Sequence, residues 1–380
     1  MNEFRVVTPP AMLGILGGGQ LGRYFVIEAR KMGYGVTVVD PSPDAPAGQL
    51  ADVHIVAPYD DPAALEQLAA TCAVVTVEFE NAPAEGLATI ADRTLVFPPA
   101  PALAITQDRI KEKEFLLDIG APVGPYIVIE TEADVESAVD FQYPAILKTA
   151  RNGYDGKGQV GVWSHGDLAG YWEQTGRVPC VLEQKLTLDR ELSLVLARTA
   201  DDRVACYPVS QNTHVQGILD TSYAPAYLPF DGAQAAADLC TYIARELDFV
   251  GVLCVEMFVV GNDVFVNEIA PRPHNTGHYT LNVCVTSQFE QQLRAVCGLA
   301  LGETRLLVPG VSMVNLMGEL WDKGEPKWER ILENAAAHLH LYGKSEPRPG
   351  RKMGHLTVAT GTAMGATALA RRLRTQATAD

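Results

Sequence analysis

Met12 to Leu16 is a short apolar run that ends in Gly17-Gly18-Gly19-Gln20-Leu21-Gly22 and continues as helix-compatible sequence to Met32. Gly33 and Gly35 stop that helix, and Val36-Thr37-Val38-Val39 follows as a second strand, closed by Asp40. A helix over 62–70 and a strand over 73–77 come next, and the strand ends at Glu78-Phe79-Glu80-Asn81. Strands interleaved with helices specify a parallel, doubly wound sheet. The proline-rich Phe97-Pro98-Pro99-Ala100-Pro101 reads as its boundary.

A chain of 380 residues is too long for one hydrophobic core. Beyond the boundary the pattern predicts a helix over 110–120, a strand over 143–148 ending in Lys148, and a glycine-rich loop over 152–158. Strand-like runs recur at 180–183, 191–198 and 204–208, then a helix over 233–247 and two apolar strands flanking Gly261-Asn262-Asp263. The expected organisation is α/β and α+β in three parts. These are an N-terminal Rossmann-like domain over 1–105, a central domain over 106–300 with a lid subdomain at about 115–205, and a small C-terminal cap over 301–380.

The net charge of −16 argues against non-specific binding to nucleic acid or an anionic membrane. The longest apolar run, over 249–260, is broken by Glu256 and is shorter than a bilayer span. Glu3 and the Pro9-Pro10 pair do not read as a signal peptide, so a cytoplasmic protein is expected. Seven scattered cysteines without a CxxC pair read as buried free thiols.

Five segments carry chemistry. Gly17-x-Gly19-x-x-Gly22, between a strand and a helix, lets backbone amides approach an anion, although a tight turn in a parallel sheet has the same sequence. Lys148 followed by Gly153-Tyr154-Asp155-Gly156-Lys157-Gly158-Gln159 can cradle phosphate oxygens with loop amides and two ammonium groups. Glu256 and Glu268 lie on the two apolar strands. With a three-residue turn at 261–263 they face each other, with Cβ atoms about 4.5–5.5 Å apart, and like charges there repel. A shared divalent cation resolves that repulsion. A two-residue turn puts the carboxylates on opposite faces. Pro271-Arg272-Pro273-His274-Asn275 sets an arginine, a histidine and an amide beside that pair, with no third soft ligand for zinc. Lys344, Arg351 and Lys352 form a basic segment that suits a monoester phosphate, or simply a solvated face. His214 and His355 stand alone and read as structural.

In this order the segments resemble the ATP-grasp superfamily over nearly the whole chain, including Glu183-Gln184-Lys185-Leu186, Glu191 and Asn267-Glu268. The resemblance implies an ATP-grasp fold behind an N-terminal pre-ATP-grasp domain. It implies that Arg109 and Lys148 contact the phosphates of ATP and that Gly153 to Gln159 form the lid. Glu183 to Leu186 would read the adenine, Glu191 would hold the ribose, and His214 would lie near the nucleotide. Asn267 would join them, and Glu256 and Glu268 would hold magnesium.

Within the superfamily, the Gly-Tyr-Asp-Gly-Lys-Gly-Gln lid resembles that of carboxyaminoimidazole ribonucleotide synthetases. Formate-dependent glycinamide ribonucleotide transformylases are similar, but usually have a serine-rich lid and tend to carry aspartate where this chain has Asn275. The implied substrates are 5-aminoimidazole ribonucleotide, bicarbonate and ATP, in a cytoplasmic homodimer. Gln20, Leu21, Lys344, Arg351 and Lys352 would hold the ribonucleotide phosphate. Glu78, or Glu80 in its place, would face the ribose and amine with Tyr154 and Asp155, and Asn275 would also contact this substrate. Arg272 and His274 would orient bicarbonate or carboxyphosphate. A nicotinamide dehydrogenase explains only the glycine fingerprint, and a nucleotide-sensing relic usually lacks a metal carboxylate or the lid lysine.

Overall fold

The computed structural model describes residues 6–153 and 156–378. The N-terminal part is a five-stranded parallel sheet of β1 (Met12–Leu16), β2 (Gly35–Val39), β3 (Val53–Ile55), β4 (Val74–Val77) and β5 (Leu95–Val96), ordered β3-β2-β1-β4-β5. The topology reverses between β1 and β4, where ligands gather at the carboxyl ends of strands in open α/β sheets. The glycine loop leaves β1 and Glu78 follows β4, so both lie at that point.

A four-stranded antiparallel sheet follows, made of β6 (Tyr126–Ile129), β7 (Ala145–Thr149), β8 (Gln159–Val162) and β9 (Cys180–Gln184), in the order β6-β9-β7-β8. The third sheet has nine strands. These are β10 (Arg190–Arg198), β11 (Val204–Cys206), β12 (Ser210–Val215), β13 (Ile218–Ala224), β14 (Gly251–Val260), β15 (Asp263–Ala270), β16 (Gly310–Met317), β17 (Ala337–Leu341) and β18 (Lys352–Thr360). Its main path runs β15-β14-β10-β12-β13-β16-β18-β17, with β11 on β10.

One boundary differs from the sequence expectation. The small sheet ends at Gln184, and β10 pairs with β14 over nine residues, so 190–205 belongs to the large sheet and not to the lid. The C-terminal strands do not form a sheet of their own, because β16 pairs with β13 and covers what would otherwise be an open edge. The helix Ala363–Thr378 then packs Ala370, Leu373 and Ala377 on Val314, Leu316, Leu356 and Val358.

The β12–β13 hairpin escapes apolar periodicity because its inner layer is polar. Ser193 Oγ lies 2.9 Å from Ser210 Oγ, Asn212 donates to Ser193 Oγ, and Ser222 donates to Asn212. Gln216 and Gly217 both have positive φ, which a two-residue primed turn needs. The helix Gln288–Val296 joins the body to the N-terminal sheet. Leu293 and Val296 enter that sheet's core, and the Gln292 side chain bonds both Thr76 Oγ1 and the Val252 amide.

Candidate functional site

The hairpin β14–β15 carries the facing carboxylates by a route different from the one expected. Val260 pairs with Asp263, so the turn is the two-residue Gly261-Asn262, a register that by alternation alone would put Glu256 and Glu268 on opposite faces. A β-bulge corrects this. Met257 pairs with Val266 but Glu256 pairs with Glu268, leaving Asn267 as the extra residue. Asn267 and Glu268 therefore both serve the site, and Lys148 donates to Asn267 Oδ1 at 3.3 Å.

Burial, and then the charge of Glu268, push the Glu256 carboxyl up to about 7. Burial acts in the same sense on Glu268, but Arg109 and Lys148 outweigh it and hold that group below the usual carboxylate range. Arg109 Nη1 lies 3.0 Å from Glu268 Oε2. Among the described residues no three His, Cys, Asp or Glu side chains cluster as a complete metal site. Two facing carboxylates, one of them short of compensating charge, fit a hard cation that takes its other ligands from phosphate and water.

Lys148 is buried on β7, and its ammonium donates to Glu183 Oε2 at 2.8 Å. The Glu183 carboxylate is thus committed to a lysine, and Lys113 lies 3.5 Å from its other oxygen. Two cations and burial hold the Glu183 side chain in place at the cavity wall. Gln184, Lys185 and Leu186 line the same cavity, of about 290 Å³, together with Gly156, Lys157 and Gln159 of the loop. Glu191 and His214 line it as well, bonded to each other through His214 Nδ1. Gly153 borders a smaller adjoining space with Arg109, Glu268 and Arg272. Tyr154 and Asp155 lie outside the described residues.

At the switch point, Glu78 accepts hydrogen bonds from Gly19 N (2.7 Å) and Gly22 N (2.8 Å), and Asp40 accepts one from Gly18 N (2.7 Å). The amides expected to hold a phosphate are satisfied by the chain's own carboxylates. Space agrees, since a Cβ on Gly19 would come within 2.5 Å of Glu78 Oε1. Glu80 instead pairs with Arg272, so the two glutamates after β4 have separate partners. The Leu21 side chain packs with Tyr24, Phe289 and Tyr342.

The expected phosphate-clamp residues divide. Lys344 Nζ donates to Gln20 Oε1 at 2.9 Å and to the Lys352 carbonyl at 2.7 Å. Arg351 donates to the Glu346 carbonyl. The Lys352 side chain enters the larger cavity beside Glu256 and His274. His274 Nε2 is 3.6 Å from Glu256 Oε1, and burial with the nearby Arg272 and Lys352 charges keeps its imidazole well below the usual histidine range. Asn275 is buried in a reciprocal amide pair with Asn315, which sequence reading missed for want of any local signal. Glu112 and Lys113 were also missed, although their spacing from Arg109 puts all three on one helix face. His355 is structural as expected, bonded to Tyr342 and stacked on His340.

The chain matches the ATP-grasp domain over residues 114–289, the ribonucleotide synthetase preATP-grasp domain over 11–107, and the phosphoribosylaminoimidazole carboxylase C-terminal domain over 311–368. It is 43% identical over 355 residues to the N5-carboxyaminoimidazole ribonucleotide synthase of Bacillus subtilis, covering 93% of this chain and 92% of that protein. With its Brucella melitensis counterpart the identity is 42%, covering 92% and 97%. Among solved structures, the Staphylococcus aureus N5-carboxyaminoimidazole synthetase complexed with ADP superposes with a TM-score of 0.92 at 37% identity, covering 98% and 99% of the two chains. The Aspergillus clavatus synthase in complex with ADP and 5-aminoimidazole ribonucleotide gives 0.89 at 31%, covering 97% and 98%. Three domain matches in order and near-complete coverage on both sides leave one conclusion: the chain belongs to the N5-carboxyaminoimidazole ribonucleotide synthases, ATP-dependent ligases built on the ATP-grasp fold.

Proposed function

We propose that the chain carboxylates the exocyclic amine of 5-aminoimidazole ribonucleotide with bicarbonate, at the expense of ATP. The observation that carries this reading is the path of the segment 344–352. Lys344 bonds Gln20 at the N-terminal switch point, and eight residues on, Lys352 enters the cavity beside Glu256. A monoester held at one end of this segment brings its ring towards a nucleotide held at the other.

In the first step a bicarbonate oxygen attacks the γ-phosphorus, its bond to the ADP oxygen breaks, and ADP leaves with carboxyphosphate formed. The amine nitrogen then attacks the carboxyl carbon, phosphate departs, and the nitrogen loses a proton. In the alternative course carboxyphosphate first breaks down to carbon dioxide and phosphate, and the amine nitrogen attacks the carbon dioxide carbon and loses the same proton. Lys148, oriented by Glu183 and Asn267, offsets charge on the phosphates, and Arg109 does so from the neighbouring side. Arg272 and the neutral His274 border the space for bicarbonate, with Asn275 fixed behind them by Asn315. Glu256 and Glu268 would hold magnesium, which would supply charge neutralisation for the transferred phosphoryl group. By family resemblance Tyr154 and Asp155 would face the ribose and amine, with Asp155 the candidate proton acceptor, and a closable lid would exclude water from two labile species. Gln20, Lys344 and Arg351 hold the ribonucleotide phosphate, while Glu78 orders the loop that receives it.

By family resemblance the domains divide at about 105 and 300, and the enzyme is a cytoplasmic homodimer, which sedimentation velocity tests directly. The functional test is phosphate release from ATP. It should require bicarbonate, rise on adding 5-aminoimidazole ribonucleotide, and ignore formate. Formate-dependent turnover of glycinamide ribonucleotide would move the chain to the transformylases.

A further inference from the structure

The bulge at Asn267 needs an explanation, because β15 is the outermost strand of its sheet and nothing in the β14–β15 pairing itself requires an extra residue. The explanation lies on the other side of β15. The helix Arg109–Asp118 and the segment that follows it run along that edge and bond its backbone in sequence. The Val266 amide donates to the Pro122 carbonyl at 2.7 Å. Lys113 Nζ donates to the Asn267 carbonyl at 3.1 Å. The Ile269 amide donates to Glu112 Oε1 at 2.7 Å. Three backbone groups that straddle the bulge thus have fixed partners outside the hairpin, two of them ionisable side chains.

Those two side chains are unusual in their burial. Glu112 and Lys113 are each 2% exposed, and long charged residues are rarely so enclosed without a purpose that packing alone would not serve. Arg109, Glu112 and Lys113 sit at i, i+3 and i+4 of one helix, so a single face delivers all three to β15. Arg109 reaches Glu268 itself, Glu112 takes the amide after it, and Lys113 takes the carbonyl before it. Lys113 also lies beside Glu183, the carboxylate that orients Lys148.

We propose that Glu112 and Lys113 are positioning residues for the ligase reaction: they fix the bulge at Asn267, and so hold Asn267 and Glu268 on the nucleotide face before nucleotide binds. The alternative register is close at hand. Side chains alternate along a strand, so loss of the bulge turns Glu268 away from Glu256 and puts Asn267 opposite it. The metal-facing geometry is thereby a two-state property of the strand, and the helix selects the state. This rests on the reading of Glu256 and Glu268 as the metal carboxylates.

Amide hydrogen exchange in the nucleotide-free protein tests it without a substitution. Ile269 should exchange as slowly as the core of β14. Rapid exchange that becomes slow only when ADP and magnesium are added would mean that the ligand makes the bulge, and the proposal falls. Lys113→Met supplies a second test. The magnesium concentration for half-maximal turnover, and the affinity of the ADP complex for manganese followed by its electron resonance signal, should each worsen roughly 10–100-fold, as for loss of partners that orient metal ligands. KM for the ribonucleotide should not move. A folded Lys113→Met protein with unchanged metal affinity overturns the proposal, and if that variant does not fold, the exchange result decides alone. Glu268→Gln separates the two levels. If it too leaves metal affinity unchanged, the carboxylate pair was misread; if it weakens metal binding and Lys113→Met does not, only the positioning role fails.

Discussion

The Lys344 ammonium lies 2.9 Å from Gln20 Oε1, joining residues 324 positions apart and tying the C-terminal segment to the first glycine loop. The pair brings a cation to the switch point of the N-terminal sheet, where Glu78 and Asp40 already occupy the loop amides. In the proposed reading Lys344, rather than the helix N-terminus, is the anion-binding element there.

Lys344→Ala should therefore weaken 5-aminoimidazole ribonucleotide binding by about 1.5–3 kcal/mol, the size of a charge-assisted hydrogen bond. ADP affinity should stay unchanged, because Lys344 does not line the nucleotide cavity. Calorimetric titration with each ligand checks both halves.

Glu78→Ala should destabilise the protein by about 1–3 kcal/mol, since it leaves the Gly19 and Gly22 amides without their acceptor. It should raise KM for the ribonucleotide and spare KM for ATP. A side chain that only touched substrate would leave the thermal midpoint of the free enzyme where it was, so unfolding curves distinguish the two roles.

Neutralising either facing carboxylate should reduce turnover by more than the roughly 10–100-fold expected of supporting residues. The effects on the metal-free protein should differ in sign. Glu268→Gln strips Arg109 of its 3.0 Å partner and should lower stability. Glu256→Gln removes a buried charge that Glu268 repels, and should raise it. Thermal unfolding of both variants in chelator at pH 8 gives the comparison.

His214 brings a pH dependence. Burial pulls its pKa down, but the bond to Glu191 and the charges of Glu256 and Glu191 outweigh it, so the folded value stands above the ordinary 6.5. A raised folded value means that the stabilisation is complete below 6.5 and is lost as pH rises through the folded pKa. Between those limits wild type should lose up to about 1.4 kcal/mol per pH unit relative to His214→Gln. Denaturant unfolding of both proteins from pH 5.5 to 9 measures the difference.

The sequence by itself determined the parts whose signal is local. Apolar runs separated by helical stretches gave the parallel sheet, and the strand carrying Lys148 before a glycine-rich loop marked one part of the cavity lining. The order of lysine, lid and paired glutamates sufficed to recognise the family. Tertiary structure alone decided which partner each charge takes. Gly261-Asn262 would have turned Glu268 away from Glu256, and contacts from a helix some 150 residues earlier, Glu112 to Ile269 and Lys113 to Asn267, accompany the bulge that turns it back. Glu78, expected to face substrate, accepts the Gly19 and Gly22 amides, and Lys352, expected in a phosphate clamp, lies in the cavity with the paired glutamates. A strand's periodicity is written in neighbouring residues, but register shifts and charge pairing depend on groups that meet only when distant segments pack, and one residue of shift reverses every side chain beyond it.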